Sequence, residues 1–405
     1  MGTGFRRFWA ASTISASGTA LTAVVIPIIA VQQLAATPVQ MGVLFAAATA
    51  ASFVLRLPAA AWADRSGSTF GVVSRMQLLS GALVALVPLL WAFSALSYVS
   101  LLVIVAAQAA AGAISEAFAA PALPLLVPRS ERAGAYGRFS SSRAAADIAS
   151  PSVGGVLLQV VAAPLLLVLD ALSFLVASLL TRSIRVPTRE RPEPAPAAEA
   201  RGHDLWAIFR EPFLRRCLLV IAYASLANGA ASALLVLFMI EQLRMEPAAV
   251  GVVLGSGAAG GLLAGMLIGR IQRRLGVGGT AAIAGFLLVA SLAGLPFAQP
   301  GWTGLAACLF YELAGSFGAV LMVITVVSEI PDRLASGAIA RGMATANLVP
   351  EIAATLGALA GGALASGTSV RFTLWSAALL AVAAGLLTLA VARVPVGRGV
   401  QRSGP

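Results

Sequence analysis

The chain has 405 residues, of which 59% are hydrophobic and only 11% are charged, whereas soluble globular proteins carry about 25% charged residues. Its 27 basic residues are all arginine, which excludes lysine Schiff-base chemistry, and the single histidine, His203, excludes sites that need several histidines or a Ser/His/Asp triad. Cys217 and Cys308 lie far apart in apolar runs, which excludes a zinc cluster or a disulfide framework. The composition indicates a polytopic membrane protein that is not an enzyme and needs no metal or cofactor.

Long apolar runs predict an all-α membrane protein, because a helix needs about 20 apolar residues to span a bilayer. The runs are continuous, whereas barrel strands alternate over about ten residues. The predicted spans are 8–33, 38–61, 71–93, 98–126, 137–160, 164–184, 216–241, 248–269, 278–297, 302–328, 338–365 and 369–392.

The arginines are distributed unequally between the two sides of these twelve spans. With the amino terminus inside, the predicted outer loops receive only Arg244 and Arg371. Because cytoplasmic loops collect basic residues, both termini are predicted to be cytoplasmic. The Ala-, Gly- and Arg-rich composition suggests a bacterial inner membrane. The net charge of +11 would suit nucleic acid, but the arginines are dispersed without interleaved aromatic residues, so the lipid bilayer is the expected partner.

A polar segment divides the spans six and six. Residues 186–212 are rich in Pro, Ala, Glu and Arg, which is typical of a linker. The predicted organisation is a six-helix bundle over 1–185, a cytoplasmic linker over 186–213, a second six-helix bundle over 214–393 and a cytoplasmic tail over 394–405.

The two halves also repeat each other in sequence. The matching sets are Pro38, Gly42 and Val43 with Pro247, Gly251 and Val252, and Pro128, Gly134 and Arg138 with Pro331, Gly337 and Arg341. Parallel duplicated six-helix halves are typical of secondary transporters, whose substrate site lies near the bilayer midplane between rocking halves.

The loop after the second span carries the first family resemblance. Residues 60–67 read AAWADRSG and resemble the GxxxDRxG loop of the major facilitator superfamily, with Ala60 in place of the first glycine. The second-half counterpart, residues 269–276, keeps both glycines but has Arg273 at the position of Asp64. In the superfamily the loop aspartate docks against the start of helix 11.

The resemblance therefore implies a cytoplasmic gate. In the first half it comprises Asp64, Arg65 and Gly67, with Arg341 at the start of helix 11, and in the second half Arg273, Arg274 and Gly276. The alternative is that Asp64 and Arg65 only cap helix ends and satisfy topology.

Two further motifs point to a drug-efflux branch. Residues 150–155, SPSVGG, are similar to the GPxxGG element of drug antiporters, here with Pro151, Gly154 and Gly155. The stretches FAAPALPLLVP and LDALSFLVASLL are similar to macrolide-efflux proteins and the enterobactin exporter. Helix 4 departs from the branch, since Gln108 stands where proton-coupled exporters have the arginine of RxxQG. The resemblance implies a proton-coupled antiporter.

Ionisable residues inside spans mark ion or substrate pathways. The proton-coupling candidates are Glu312, Glu351, Asp147, Glu116 and Asp170. No basic residue lies within the spans of Glu312 and Glu351, and burial disfavours a charged carboxylate, so these two are the leading candidates. Arg143 lies one turn before Asp147, and the alternative for the first-half acids is that it neutralises Asp147 or Glu116. The alternative for Asp170 is a structural role.

The expected cargo is a hydrophobic or amphipathic organic compound, such as a drug, an antibiotic, a macrolide or a siderophore. Spans 1, 7 and 8 offer few polar side chains, which favours an apolar pocket over a polar-solute site. The pocket candidates are Gln108, Tyr223, Asn228 and Tyr311. No GxxxxGK[ST] loop occurs, so protons are the expected driving ion, and the chain is expected to act as a monomer. The alternatives are an uptake carrier for a small polar solute and a non-transporting membrane enzyme or receptor.

Overall fold

The structure, a computed structural model, describes residues 2–66, 69–184, 207–334 and 338–392. Those residues are almost entirely helical, and nine of their helical segments are long and apolar enough to cross a membrane. We number the long helices of this part of the chain α1 Thr3–Gln32, α2 Pro38–Arg65, α3 Thr69–Ala92, α4 Tyr98–Ala119, α5 Arg132–Leu157, α6 Ala163–Arg182, α7 Pro212–Leu237, α8 and α9 within Pro247–Gly294, α10 Trp302–Arg333, α11 Ile339–Gly367 and α12 Val370–Ala392.

Gly276 separates α8 (247–275) from α9 (277–294). Its φ of 68° and ψ of −179° are non-helical and interrupt Pro247–Gly294. Only glycine adopts this conformation readily, because it has no Cβ. The loop motif in the second half therefore places its last glycine where the backbone needs it.

Several helices begin with capping residues that their sequences specify. Thr37 and Gln40 form a capping box before α2, with Pro38 as its first residue. Ser97 and Ser100 cap α4 in the same reciprocal way. Such caps satisfy backbone N–H groups that have no partner inside the helix. The helix boundaries follow from these polar residues and prolines.

The turns before α2 and α8 share an unusual backbone conformation. Ala35 has φ 46° and Arg244 has φ 53°, values that L-residues other than Asn and Asp rarely adopt. The sequence offset that carries Pro38 onto Pro247 also carries Ala35 onto Arg244. The internal repeat therefore extends to the backbone of the turns.

The chain forms two compact units, Met1–Ala200 with Met239–Gly255, and Arg201–Phe238 with Ser256–Pro405. In the first unit α1 packs against α5 and α6, and α3 packs against α4 and α6. In the second unit α7 packs against α11 and α12. The start of α8 thus groups with the first unit.

Matching glycines bring the first and fifth helices of each repeat together. A Cβ at Gly154 of α5 would overlap with Leu21 of α1, and a Cβ at Gly357 of α11 would overlap with Leu226 of α7. Small residues allow membrane helices to approach closely. The glycine pair found in the sequence repeat therefore has the same packing role in both halves.

Candidate functional site

An acid–arginine cluster joins α4 and α5 in the first unit. Arg143 Nη1 lies 3.6 Å from Glu116 Oε1, and Arg143 Nε lies 3.8 Å from Asp147 Oδ2. The three side chains are exposed, with exposed fractions of 64% for Arg143, 64% for Glu116 and 40% for Asp147. One arginine therefore lies between two acids, and its single positive charge balances one of their two negative charges when both are ionised.

Asp170 on α6 is enclosed by hydroxyl groups. It is fully buried and accepts hydrogen bonds from Thr22 of α1 and from Ser173 Oγ at 3.0 Å. Gly18 of α1 leaves the space for this carboxylate, because a Cβ at Gly18 would overlap with Asp170 Oδ1. A buried acid with two hydroxyl donors ties α6 to α1.

Glu312 on α10 occupies a slot in the second unit. A Cβ at Gly257 of α8 would overlap with Glu312 Oε2 and would lie 3.1 Å from Ser316 Oγ. Gly257 therefore leaves the space that the carboxylate fills. Among the described residues, no arginine forms an ion pair with Glu312. Glu351, the other leading candidate, is partly buried on α11.

A cavity of about 170 Å³ lies in the second unit between α7, α9, α10 and α11. Its polar lining side chains are Ser225, Asn228 and Ser316, and the rest of its described lining is apolar or glycine. Ser316 follows Glu312 by one helical turn, so both lie on the same side of α10. The cavity and the Glu312 slot are therefore neighbours on one helix.

A chain of hydrogen bonds lies behind the cavity wall. Tyr311 on α10 is 3% exposed, and its hydroxyl donates to Asn228 Oδ1 at 2.7 Å. The same hydroxyl lies 3.0 Å from Ser232 Oγ. Because the Tyr311 hydroxyl donates its proton to Asn228, the Ser232 hydroxyl donates to the Tyr311 oxygen. This chain links α7 and α10 and fixes the Asn228 amide.

The other two pocket candidates lie apart from this cavity. Tyr223 is 40% exposed and is not among the residues that line it. Gln108 belongs to α4 in the first unit, where its Oε1 is buried without a hydrogen-bond partner among the described residues. The structure thus brings Asn228 and Tyr311 together but not the whole predicted set.

The antiporter-like element of α5 packs against the start of α8. A Cβ at Gly155 would lie 2.6 Å from Pro247 O, and one at Gly251 would overlap with Pro151 O. Beside this crossing, Gln159 Nε2 donates to Glu246 Oε2 at 3.3 Å. Close approach of the two backbones therefore requires glycine on both helices. Gly154, the third residue of the element, faces α1 instead.

Sequence reasoning missed an ion-pair network at the ends of α7 and α10. Glu211 caps α7 by accepting from Leu214 N at 2.5 Å, and its other oxygen lies 3.3 Å from Arg333 Nη1. Arg333 Nε also donates to Glu329 at 2.8 Å, and its guanidinium lies 4.2 Å from the centre of the Phe213 ring. All three charged side chains are largely buried.

Two features of the sequence predict part of this ion-pair network. Glu329 and Arg333 have the i,i+4 spacing of a helical ion pair, and Glu211 immediately precedes a proline at a helix start. The repeat could not help, because its offset places Leu126 and Ser130 at the positions of Glu329 and Arg333. The network therefore belongs to the second half alone.

Comparison with protein families gives a match over most of the chain. The sequence profile of the Major Facilitator Superfamily matches residues 8–349. The chain belongs to the Major Facilitator Superfamily. It is a multi-pass membrane transporter, and its fold is the superfamily's twelve helices in two halves, as the sequence predicted. A search of curated proteins gives no match.

Solved transporters share this fold at low sequence identity. The chain is similar to the nucleoside transporter NupG, with a TM-score of 0.76 and 11% identity over 97% of this chain and 100% of that one. It is similar to a bacterial homologue of the iron transporter ferroportin in the inward-facing state, with a TM-score of 0.75 and 15% identity over 96% and 99% of the two chains. A bacterial homologue of the lysosomal transporter Spinster gives a TM-score of 0.71 and 16% identity over 96% of both.

The gate predicted from the superfamily's loop motif lies partly outside the described residues. Gly67 and the side chains of Asp64 and Arg341 are not among the described residues. Arg65 is exposed at the last residue of α2, and Arg273 and Arg274 are exposed near the end of α8. The gate remains a prediction from sequence.

Proposed function

We propose that this transporter is a proton-coupled antiporter that exports hydrophobic or amphipathic organic compounds by alternating access. Drugs, antibiotics and secondary metabolites such as macrolides or siderophores are the compound classes. Protons move inward as the compound moves out. The motif residues resemble those of the drug, macrolide and enterobactin-exporter branch of the superfamily, which supports this proposal.

One observation carries the proposal. The cavity of the second unit is mostly apolar, and the Glu312 slot lies one helical turn away on α10. An apolar pocket with few polar groups suits an organic compound better than a sugar or an organic acid. A carboxylate in a membrane helix with no arginine counter-ion in the described part of the chain suits a group that binds and releases a proton. Cargo and proton would thus act on the same helix.

The deciding experiment uses inverted vesicles from a bacterial host that lacks its own efflux pumps. A panel of labelled organic compounds is screened for accumulation driven only by an imposed pH step. We expect accumulation of one or more apolar compounds, abolished by a protonophore. Accumulation that ATP supports after the gradient has been collapsed would contradict the proposal.

A carrier for the uptake of a small polar solute is the competing function. It predicts that intact cells, not inverted vesicles, concentrate the solute, and that sugars, nucleosides or organic acids compete for transport. The same panel with these solutes added therefore separates the two directions. Uptake of a polar solute with no effect on apolar compounds would favour the carrier over the exporter.

We also propose that the chain works as a monomer in a bacterial inner membrane, with both termini and the linker of residues 186–213 in the cytoplasm. The distribution of arginine between predicted loops supports this orientation. Single cysteines in the linker and at Trp302, the first residue of α10, test it. A membrane-impermeant thiol reagent applied to intact cells should label the cysteine at Trp302 and not the one in the linker.

The sequence motif further supports a gate in which Asp64 meets Arg341 when the cytoplasmic side closes. Asp64→Asn should slow transport several-fold and leave compound binding unchanged, because it disturbs one conformational state. Cysteines placed beside Asp64 and Arg341 report closure by crosslinking. Equal crosslinking with and without Asp64→Asn would contradict the gate.

A further inference from the structure

The polar groups that line the cavity of the second unit are few and uncharged. The described lining contains no ionisable side chain, and its polar members are the hydroxyls of Ser225 and Ser316 and the amide of Asn228. Apolar side chains such as Leu288 and Met322 form much of the remaining wall. A charged ligand group would find no counter-charge among the lining side chains themselves, whereas a neutral group on an apolar body fits.

The hydrogen-bond chain behind the wall determines what the amide offers. Asn228 Oδ1 already accepts from the Tyr311 hydroxyl at 2.7 Å, and Ser232 holds that hydroxyl from the other side. The Asn228 amide nitrogen has no hydrogen-bond partner among the described residues, and it carries two N–H donors and no lone pair to accept with. The wall therefore presents a fixed donor next to apolar surface.

The size of the cavity limits what it can hold. An engineered cavity of about 150 Å³ in another protein accommodates benzene, so about 170 Å³ is room for one ring and a small substituent. Drug-sized compounds need several hundred cubic ångströms. This cavity is therefore large enough for one end of such a compound.

We infer that the cavity is a subsite for a neutral hydrogen-bond acceptor, such as a ketone, ester or amide carbonyl, on a ring-sized apolar group, and that Asn228 selects this acceptor. Tyr311 is a positioning residue, because it holds the amide with its N–H groups towards the cavity. This inference rests on the proposed function, since it assigns one end of the exported compound.

The test compares two probes of nearly the same shape, 4-fluoroacetophenone and 4-fluoro-α-methylstyrene, which differ in having C=O or C=CH₂. Their binding to the purified full chain in lipid nanodiscs is followed by ¹⁹F NMR. One hydrogen bond contributes a preference of about fivefold. We expect the wild-type protein to bind the ketone about fivefold more tightly than the alkene.

Two variants assign this preference to the amide. Asn228→Leu should remove the preference and keep alkene binding. Tyr311→Phe should weaken ketone binding about two- to threefold, because the released amide must be ordered on binding, and it should leave the alkene unaffected. Asn347→Leu, an exposed asparagine on α11 that is not among the lining residues, is the matched control and should behave as wild type.

The result that overturns the inference is distinct from failure of the proposed function. Equal affinity for the two probes, no binding of either, or a ketone preference that survives Asn228→Leu would overturn the subsite. If Asn228→Leu does not fold, an unchanged ketone affinity in Tyr311→Phe does the same. An Asn228-dependent preference in a protein that exports nothing from vesicles would leave the subsite standing and reject the export function.

Discussion

The Arg143 cluster of the first unit and the Glu312 slot of the second unit accommodate membrane acids differently. In the first unit Glu116 and Asp147 share Arg143, and all three side chains are open. In the second unit Glu312 fills a slot that Gly257 leaves for it, with no arginine ion pair among the described residues. An arginine stabilises the charged form of a neighbouring acid, whereas an acid without one, such as Glu312, suits a group that binds and releases a proton. For the proposed antiporter, this comparison favours Glu312 in the second unit as the coupling acid.

Removing the second-unit acids should have the largest effect. We expect Glu312→Gln or Glu351→Gln to lower export against a gradient by about tenfold or more, because a glutamine cannot release a proton. Exchange of compound down its gradient should persist, since an apolar cargo needs no counter-charge. Vesicle assays with and without a pH step measure the two activities separately.

The same assay can reverse the assignment. If both glutamine variants pump against a gradient at wild-type rates, with an unchanged dependence on pH, coupling does not lie in the second unit. The cluster of Glu116, Arg143 and Asp147 would then be the leading candidate.

A substitution that leaves Glu312 in place but fills its slot tests the geometry. Gly257→Ala puts a methyl group where Glu312 Oε2 lies, so the carboxylate must move. We expect pH-driven export to fall several-fold, with a smaller change in downhill exchange. Gly265→Ala is the matched control on α8, since a Cβ there meets no atom within 4 Å. Equal effects of the two substitutions would mean that displacement of the carboxylate is not responsible.

Asp170 is predicted to have a structural role, unlike the acids proposed to carry protons. Asp170→Asn keeps the shape but replaces one acceptor oxygen by a donor, which leaves Thr22 or Ser173 without its partner. We expect a loss of about 1–3 kcal/mol, seen as a lower unfolding temperature in detergent and a reduced yield. The protein that folds should still export compound against a gradient. Full stability with lost coupling would instead place Asp170 among the proton carriers.

The smallest effect is expected in the first-unit cluster. The two Arg143 contacts, at 3.6 Å and 3.8 Å, exceed hydrogen-bond distance, and Asp147 remains beside Arg143 when Glu116 is neutralised. Glu116→Gln should therefore change export less than about twofold and leave the unfolding temperature unchanged. Replacing both acids should have a larger effect, because Arg143 then has neither partner. A single substitution that abolishes coupling would contradict the assignment to the second unit.

The fold was predictable because bilayer-spanning helices are long and apolar, and their ends carry local signals. Span 216–241 corresponds to α7 and its continuation to Gln242, and span 278–297 corresponds to α9 and the short helix Leu295–Phe297. Span 98–126 is in fact two helices, Tyr98–Ala119 and Ala122–Leu126, with Pro121 at the break. Proline interrupts helical hydrogen bonding, but a hydropathy pattern alone does not reveal such a break in a helix.

The sequence predicted few side-chain partners across helices, and the exception is Arg143, for which it named Glu116 as well as Asp147. The i,i+4 spacing of Arg143 and Asp147 pointed to their contact. Hydropathy does not fix the rotation of a helix about its axis, so it could not show that Asp170 faces Thr22 or that Tyr311 faces Asn228. The Glu211–Arg333 pair likewise joins residues that are far apart in the chain. Such contacts depend on how the helices pack.

Ala35 and Arg244, which have a left-handed backbone conformation, are suitable positions for stabilising substitutions. A residue with a Cβ in this conformation loses roughly 1–2 kcal/mol, and glycine relieves that strain at a smaller entropic cost. Ala35→Gly and Arg244→Gly should each yield up to about 1 kcal/mol of stability. Neither residue lines the described cavity or contacts a candidate acid. The duplicated turn is thus a place where the transporter could be made more robust for purification without altering what it carries.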